Sequence, residues 1–296
     1  MLRKGDLTQG GITTTLLQFT LPMLAGSLLQ QCYNIADTLI VGQCIGTNAL
    51  AAVGSAYTLM VFLISILLGL SMGSGTVFSL QYGAGDLSAL RRSIYVSFLL
   101  IGTVTILLNV AVFLWLDPIL RWLQVPYDVY PLMRNYLWII FWGIVFTFLY
   151  NFYAALLRAV GESVTPLWFL AVSVVLNIGL DLFLILVLDQ GIEGAAVATV
   201  IAQGTAASGI LLYTYKTRPE LRLHREDMCF DRSSLREITS FSTLTCVQQS
   251  VMNFGILMVQ GLVNSFGTVV MADELLKNAA KSGYTVQERK DVAHFL

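Results

Sequence analysis

The sequence predicts an all-α, polytopic membrane protein. Charged residues make up 12% of the 296 residues, about half the ~25% of ordinary soluble domains. The mean hydropathy is +0.73. The apolar residues come in long, nearly uncharged blocks, each near the ~20 residues that a bilayer-crossing helix needs. Several classes of function fall away with these numbers, a soluble enzyme first. The net charge of -1, with Lys and Arg gathered in short loops, leaves no basic footprint for nucleic acid. Cys32, Cys44, Cys229 and Cys246 show no CxxC spacing and His224 and His294 stand apart, so neither a disulfide framework nor a cofactor metal is indicated.

Seven spans follow in order, at residues 15–41, 53–80, 93–116, 135–157, 165–188, 194–215 and 240–267. The first follows Arg3 and Lys4 as a signal peptide would, yet it runs far past the roughly 7–15-residue apolar core of one and has no clear cleavage site. Positive charge in short loops stays on the cytoplasmic side, and alternate loops divide sharply. One side holds Arg3, Lys4, Arg91, Arg92, Arg158, Lys216, Arg218, Arg222, Arg225, Arg232 and Arg236, whereas the other holds Arg121 and Arg134. The N-terminus is therefore predicted to be cytoplasmic. Residues 272–296 carry Lys277, Lys281, Arg289 and Lys290 without an apolar block, which predicts a soluble or disordered tail.

Two carboxylates lie well inside spans, Asp37 in the first and Asp181 in the fifth. An Asp at mid-membrane is disfavoured by about 2.5–3.5 kcal/mol on insertion scales, so it is expected to face a cavity or a partner and to serve function. Such a group can load a proton, or hold a sodium ion when ionised. Asn177 precedes Asp181 by one helical turn, and Tyr33 and Asn34 stand likewise before Asp37, which gathers oxygen ligands on common faces. In the sixth span Thr199 and Gln203 are one turn apart, within a run of Gly and Ala that permits close helix approach. Carboxylate, amide and hydroxyl oxygens suit a hard cation. The plainer reading is that these groups only hydrogen-bond helices together, and for Thr199 and Gln203 the pattern alone favours it.

Pro22 lies inside the first span, where a missing backbone donor and a ring clash predict a kink, serving either as hinge or as static bend. The fourth span is crowded with rings, including Tyr136, Trp138, Phe141, Trp142, Phe148 and Phe152. Aromatic faces attract organic cations, but most of these rings are expected to face lipid or form interfacial belts. Tyr136 is the one expected to face a cavity.

Taken together, several stretches resemble the multidrug and toxic compound extrusion (MATE) family of secondary transporters, from about residue 5 to 271. They are Pro22 and Asp37 in the opening span, Val41-Gly42 and Ala49-Leu50-Ala51-Ala52-Val53-Gly54 after it, and Gln81-Tyr82-Gly83-Ala84-Gly85-Asp86 in the first cytoplasmic loop. Leu157-Arg158-Ala159-Val160-Gly161-Glu162, Thr165-Pro166-Leu167, Asn177 to Asp181 and Gly191 to Thr199 complete the set. The resemblance implies export of organic cations or amphipathic drugs against inward protons or sodium ions, by rocking of two six-helix lobes. It maps a cation-coupling site onto Asp37, Asn177, Asp181 and Thr199, with Tyr33 and Tyr136 beside it and Pro22 as the bending proline. Sodium, if it is the coupling ion, falls to the same four residues.

Members of that family have twelve helices, and the seven spans here divide accordingly. Residues 1–215 form the six-helix N-terminal lobe, 216–239 a cytoplasmic linker, 240–271 the first helix of an incomplete second lobe, and 272–296 an atypical charged tail. A truncated or frameshifted reading frame is the expected cause, which puts transport by this chain alone in question. No oligomerisation signal is visible. Two other readings compete. A lipid or polysaccharide-precursor flippase of the same superfamily would favour a cationic cavity, and no Lys or Arg lies near a span centre. A seven-helix receptor is opposed by the cytoplasmic N-terminus.

Overall fold

The computed structural model describes residues 12–228 and 230–265. Arg3, Lys4, Cys229, His294 and the expected tail at 272–296 lie outside them. The described residues form α1 (Ile12–Cys44), α2 (Thr47–Gly83), α3 (Leu87–Trp122), α4 (Tyr130–Trp142), α5 (Ile144–Ala159), α6 (Val164–Leu182), α7 (Gly191–Thr217) and α8 (Arg232–Ser265), with no strand among them. Five helices (α2, α3, α6 with its extension to Val187, α7 and α8) are long and apolar enough to cross a bilayer. The bent pair α4 and α5 makes a sixth. α1 has the length but falls short of the same apolar measure, being diluted by Gln18, Gln30, Gln31, Asn34 and Asp37. Of these, Asp37 is buried and Asn34 half-buried, whereas Gln30 and Gln31 are exposed.

The fourth expected span is two helices, bent by 49° at Gly143. A methyl at that position would meet Val200 Cγ2 of α7 at 2.7 Å and the Ile140 carbonyl oxygen at 3.1 Å, so the bend depends on glycine. The rings of this segment also depart from expectation. Phe141, Phe148 and Phe152 are buried, and Phe148 and Phe152 pack with Phe98 and Phe78 in the central core. Trp138 and Trp142 do face outward, as expected of the segment's outer face.

Helix α2 is the axis of the bundle, touching α1, α3, α4, α5 and α8. Its small residues explain how. Ala49, Ala51, Ala52, Ser55 and Ala56 are fully buried, so this motif is a close-packing surface rather than a chemical one. Further along, an added methyl at Gly69 would come within 2.6 Å of Cys246 Cα, and one at Gly73 within 2.4 Å of Ser242 Cα. Here α2 and α8 run antiparallel with their backbones nearly touching. Where they part from this contact, side chains take over: Ser55 Oγ donates to Asn264 Oδ1 (3.0 Å), Gln260 Nε2 donates to Ser55 Oγ (3.1 Å), and Asn264 Nδ2 donates to the Leu123 carbonyl (3.0 Å).

Two family-like glycine motifs are turns. Gly85 takes φ +76° between α2 and α3, and Asp86 then accepts the Ala89 N–H (2.9 Å) as helix cap. Gly161 takes φ +85° between α5 and α6. Just beyond, Glu162 accepts from Arg218 Nη2 (2.6 Å), Arg218 Nε (3.0 Å) and Tyr213 Oη (2.6 Å), tying the end of α7 to that turn.

Candidate functional site

The candidate site is assembled by α1, α6 and α7, with α4 beside them. Asp37 on α1 is 7% exposed and Asp181 on α6 is 0% exposed, and their carboxyl groups come within hydrogen-bond reach of one another. The two helices pack directly, which brings residues 144 positions apart in sequence side by side. Asn177, one turn before Asp181, is fully buried. In the orientation that satisfies both ends of its amide, Nδ2 donates to Asp181 Oδ2 (2.9 Å) and Oδ1 accepts the Thr199 N–H (3.2 Å). Tyr33 Oη lies 3.2 Å from Thr199 Oγ1, closing the ring from α1 to α7. Tyr136 of α4 is 4% exposed and stands beside Asp37, Asp181 and Tyr33.

The structure therefore places Asp37, Asn177, Asp181, Thr199, Tyr33 and Tyr136 in one buried region. Asn34 is not part of it. Its Nδ2 donates to Tyr57 Oη (3.0 Å) on α2, so sharing a helix face with Asp37 does not bring it to the carboxylates. Gln203 departs too, accepting from Thr147 of α5 rather than reaching the carboxylates. Pro22 sits far down α1, which continues as one helix across it and contributes Pro22 to the wall of a separate cavity. Immediately after Asp181 the helix widens into a π-turn at Phe183–Val187, against which the start of α7 packs through Gly194. Such turns shift the register of a helix and recur at functional sites. No residue type in the sequence announced this one.

Asp37 Oδ1 and Asp181 Oδ1 are buried and have no hydrogen-bond partner among the described residues. Two negative charges side by side in low dielectric repel strongly, so a proton or a small cation held between them is favoured. The oxygens at hand are two carboxylates, an amide, a hydroxyl and phenols, a set for a hard cation and not for a soft metal. Chemically the arrangement can bind, neutralise and release a monovalent cation.

The sequence profile of the MatE family matches residues 22–183. This chain belongs to the MatE family. A relative from Bacillus subtilis (strain 168), named probable multidrug resistance protein YpnP, is 33% identical over 267 residues, covering 90% of this chain and 60% of its own. Among solved structures, an outward-facing multidrug resistance MATE transporter of the MOP superfamily superposes with TM-score 0.80 at 22% identity, over 86% of this chain and 57% of that one. The Vibrio cholerae MATE transporter VcmN in its bent form gives 0.76 at 27%, over 89% and 59%. The MatE chain thus has the fold of a helical membrane-transporter lobe, and it spans about 60% of the length of the curated relative. Membership sets aside the seven-helix receptor and any enzymatic role.

Proposed function

We propose that this MatE chain supplies the N-terminal lobe of a secondary transporter that exports organic cations or amphipathic drugs in exchange for inward protons or sodium ions. The observation that carries the reading is the buried Asp37–Asp181 pair, each carboxyl with an unengaged oxygen, ringed by Asn177, Thr199, Tyr33 and Tyr136. Binding a cation there would cancel the repulsion between α1 and α6, and releasing it would restore that repulsion. A site whose occupancy changes the energy of helix contact is what alternating access between repeats requires. Pro22 would let α1 bend in response.

The same proposal divides the chain into a lobe at 1–215, a cytoplasmic linker at 216–239 and the opening helix of a second lobe at 240–271, with the N-terminus cytoplasmic. Drug export belongs to the whole protein, of which the described lobe holds the coupling site. The names of the relatives support the cargo, since YpnP is called a multidrug resistance protein.

The test is ethidium efflux from vesicles containing a transporter completed from this chain with a second lobe, driven separately by a proton gradient and by a sodium gradient. One of the two is expected to drive efflux, and Asp37→Asn and Asp181→Asn are each expected to abolish the response while leaving membrane insertion intact. Undiminished export by both variants would remove the carboxylate pair from the mechanism. To separate ion binding from transport, melting of the purified protein is followed against sodium and pH. The wild type is expected to shift with the coupling ion and the two variants are not.

A further inference from the structure

Between α1, α2, α5 and α6 lies an open cavity of about 520 Å³. Neither Asp37 nor Asp181 lines it. Among the described residues its wall holds one charged side chain, Arg158, and no carboxylate. Arg158 stands in the last turn of α5, half-buried, with Nε donating to the Ala154 carbonyl (2.9 Å). Its remaining donors have no partner among the described residues. Glu162, one turn on, is the natural counter-charge, but Arg218 and Tyr213 already occupy it.

A second group in the same wall is also unspent. Ser71 of α2 is 2% exposed, lines the cavity, and its hydroxyl makes no hydrogen bond. By contrast Thr76 and Ser79 beside it donate back to the carbonyls of Met72 (3.2 Å) and Gly75 (2.8 Å) on their own helix. Much of the remaining wall is apolar, with Phe19, Met23, Leu68, Leu167 and Leu170. A half-buried guanidinium without a counter-charge is costly unless something pairs with it, and its planar fork matches phosphate and carboxylate oxygens.

We propose that this cavity binds an amphipathic anion, a phosphate or carboxylate head on an apolar tail, with Arg158 holding the head and Ser71 donating to its polar part. The ligand is opposite in charge to the exported cations, and the site does not depend on the carboxylate pair. An anionic phospholipid and a single-chain amphiphile share the chemistry.

The full chain, purified in neutral detergent, is titrated calorimetrically with dodecyl phosphate and with inorganic phosphate, and phosphatidylglycerol and phosphatidylcholine are compared for retention by native mass spectrometry. Dodecyl phosphate is expected to bind, and inorganic phosphate about tenfold or more weaker for want of a tail. Arg158→Gln is expected to weaken dodecyl phosphate about tenfold or more, as loss of a charge-assisted hydrogen bond does. Ser71→Ala should weaken it severalfold, and it keeps the test decisive if Arg158→Gln folds poorly. Arg236→Gln, the same charge change at an exposed position of α8, is expected to bind as the wild type does. Selective retention of phosphatidylglycerol, displaced by dodecyl phosphate, supports the site and identifies a lipid; dodecyl phosphate binding without it supports the site with a single-chain ligand. No binding of either amphiphile, or binding indifferent to both Arg158→Gln and Ser71→Ala, overturns the proposal.

Discussion

Thr199 joins two partners through one hydroxyl and one backbone N–H, Tyr33 on one side and the Asn177 amide on the other. Thr199→Val keeps the volume and deletes the hydroxyl, so it leaves Tyr33 Oη without that partner while the backbone contact survives. Cation affinity, read as the ion-dependent shift in melting, is expected to fall about tenfold, whereas Thr199→Ser should retain most of it; the loss matches an unpaired buried polar group at about 1–3 kcal/mol. How far such residues were legible depends on what each costs the membrane. Asp37 and Asp181 stand out in a bare sequence because a carboxylate at that depth has to be justified. Thr199 does not, because hydroxyls are tolerated in spans for many reasons, and its place came from resemblance to a family. Asn34 shows the limit of helix periodicity: a shared face leaves tens of degrees of freedom, and Tyr57 lay within reach. Arg158 shows the opposite limit, since as a residue near a span end it reads as a loop charge that fixes orientation and not as a ligand group.

Helix pairs rather than single helices carry the architecture. A side chain at Gly73 has no room against Ser242 Cα, so Gly73→Val is expected to lower stability by about 1–3 kcal/mol through overpacking and to separate α8 from α2. A cysteine placed at Ile66, whose carbonyl lies 3.3 Å from Cys246 Sγ, reports this directly: disulfide formation between Ile66→Cys and native Cys246 should drop in the Gly73→Val background. At the α3 end, Asp227 accepts from Arg91 Nε (2.9 Å) and from the His224 N–H (3.0 Å). Partial desolvation works against its charge, but those donors prevail and hold the carboxyl below the usual carboxylate range. A depressed value in the fold means that the stabilisation is present above the unfolded carboxylate pKa of about 3.9 and is lost as pH falls below it. Asp227→Asn is therefore expected to lower the melting temperature near neutral pH, with the gap to wild type closing as the pH falls below the unfolded carboxylate value of about 3.9. Element positions were readable from apolar blocks and turn glycines. The break at Gly143 was not, because Trp142-Gly143-Ile144 is as apolar as its surroundings and the cause of the bend, Val200, lies on another helix. The π-turn after Asp181 was hidden in the same way.

At the scale of the whole molecule, positive charge sorts to one end of the bundle. Trypsin is expected to cut at exposed Arg225, in the segment between α7 and α8, in inside-out vesicles and not in right-side-out ones. Cleavage at Arg225 from the outer face would invert the topology. The overall class was the most legible feature, since composition alone separates a membrane chain from a soluble one. Which helices meet was not, because lipid-facing and bundle-facing apolar residues look alike when water is absent from both sides. The contact between α2 and α8 bears on how the protein is made. α8 is the least apolar of the five long spanning helices, and Gln260 and Asn264 find their hydrogen bonds on Ser55 and the Leu123 carbonyl, groups synthesised far earlier. α8 thus leaves the ribosome as the weakest of these spans, and its two amides find partners only when it meets α2 and the end of α3, so the earlier helices lower the cost of settling the later one in the bilayer.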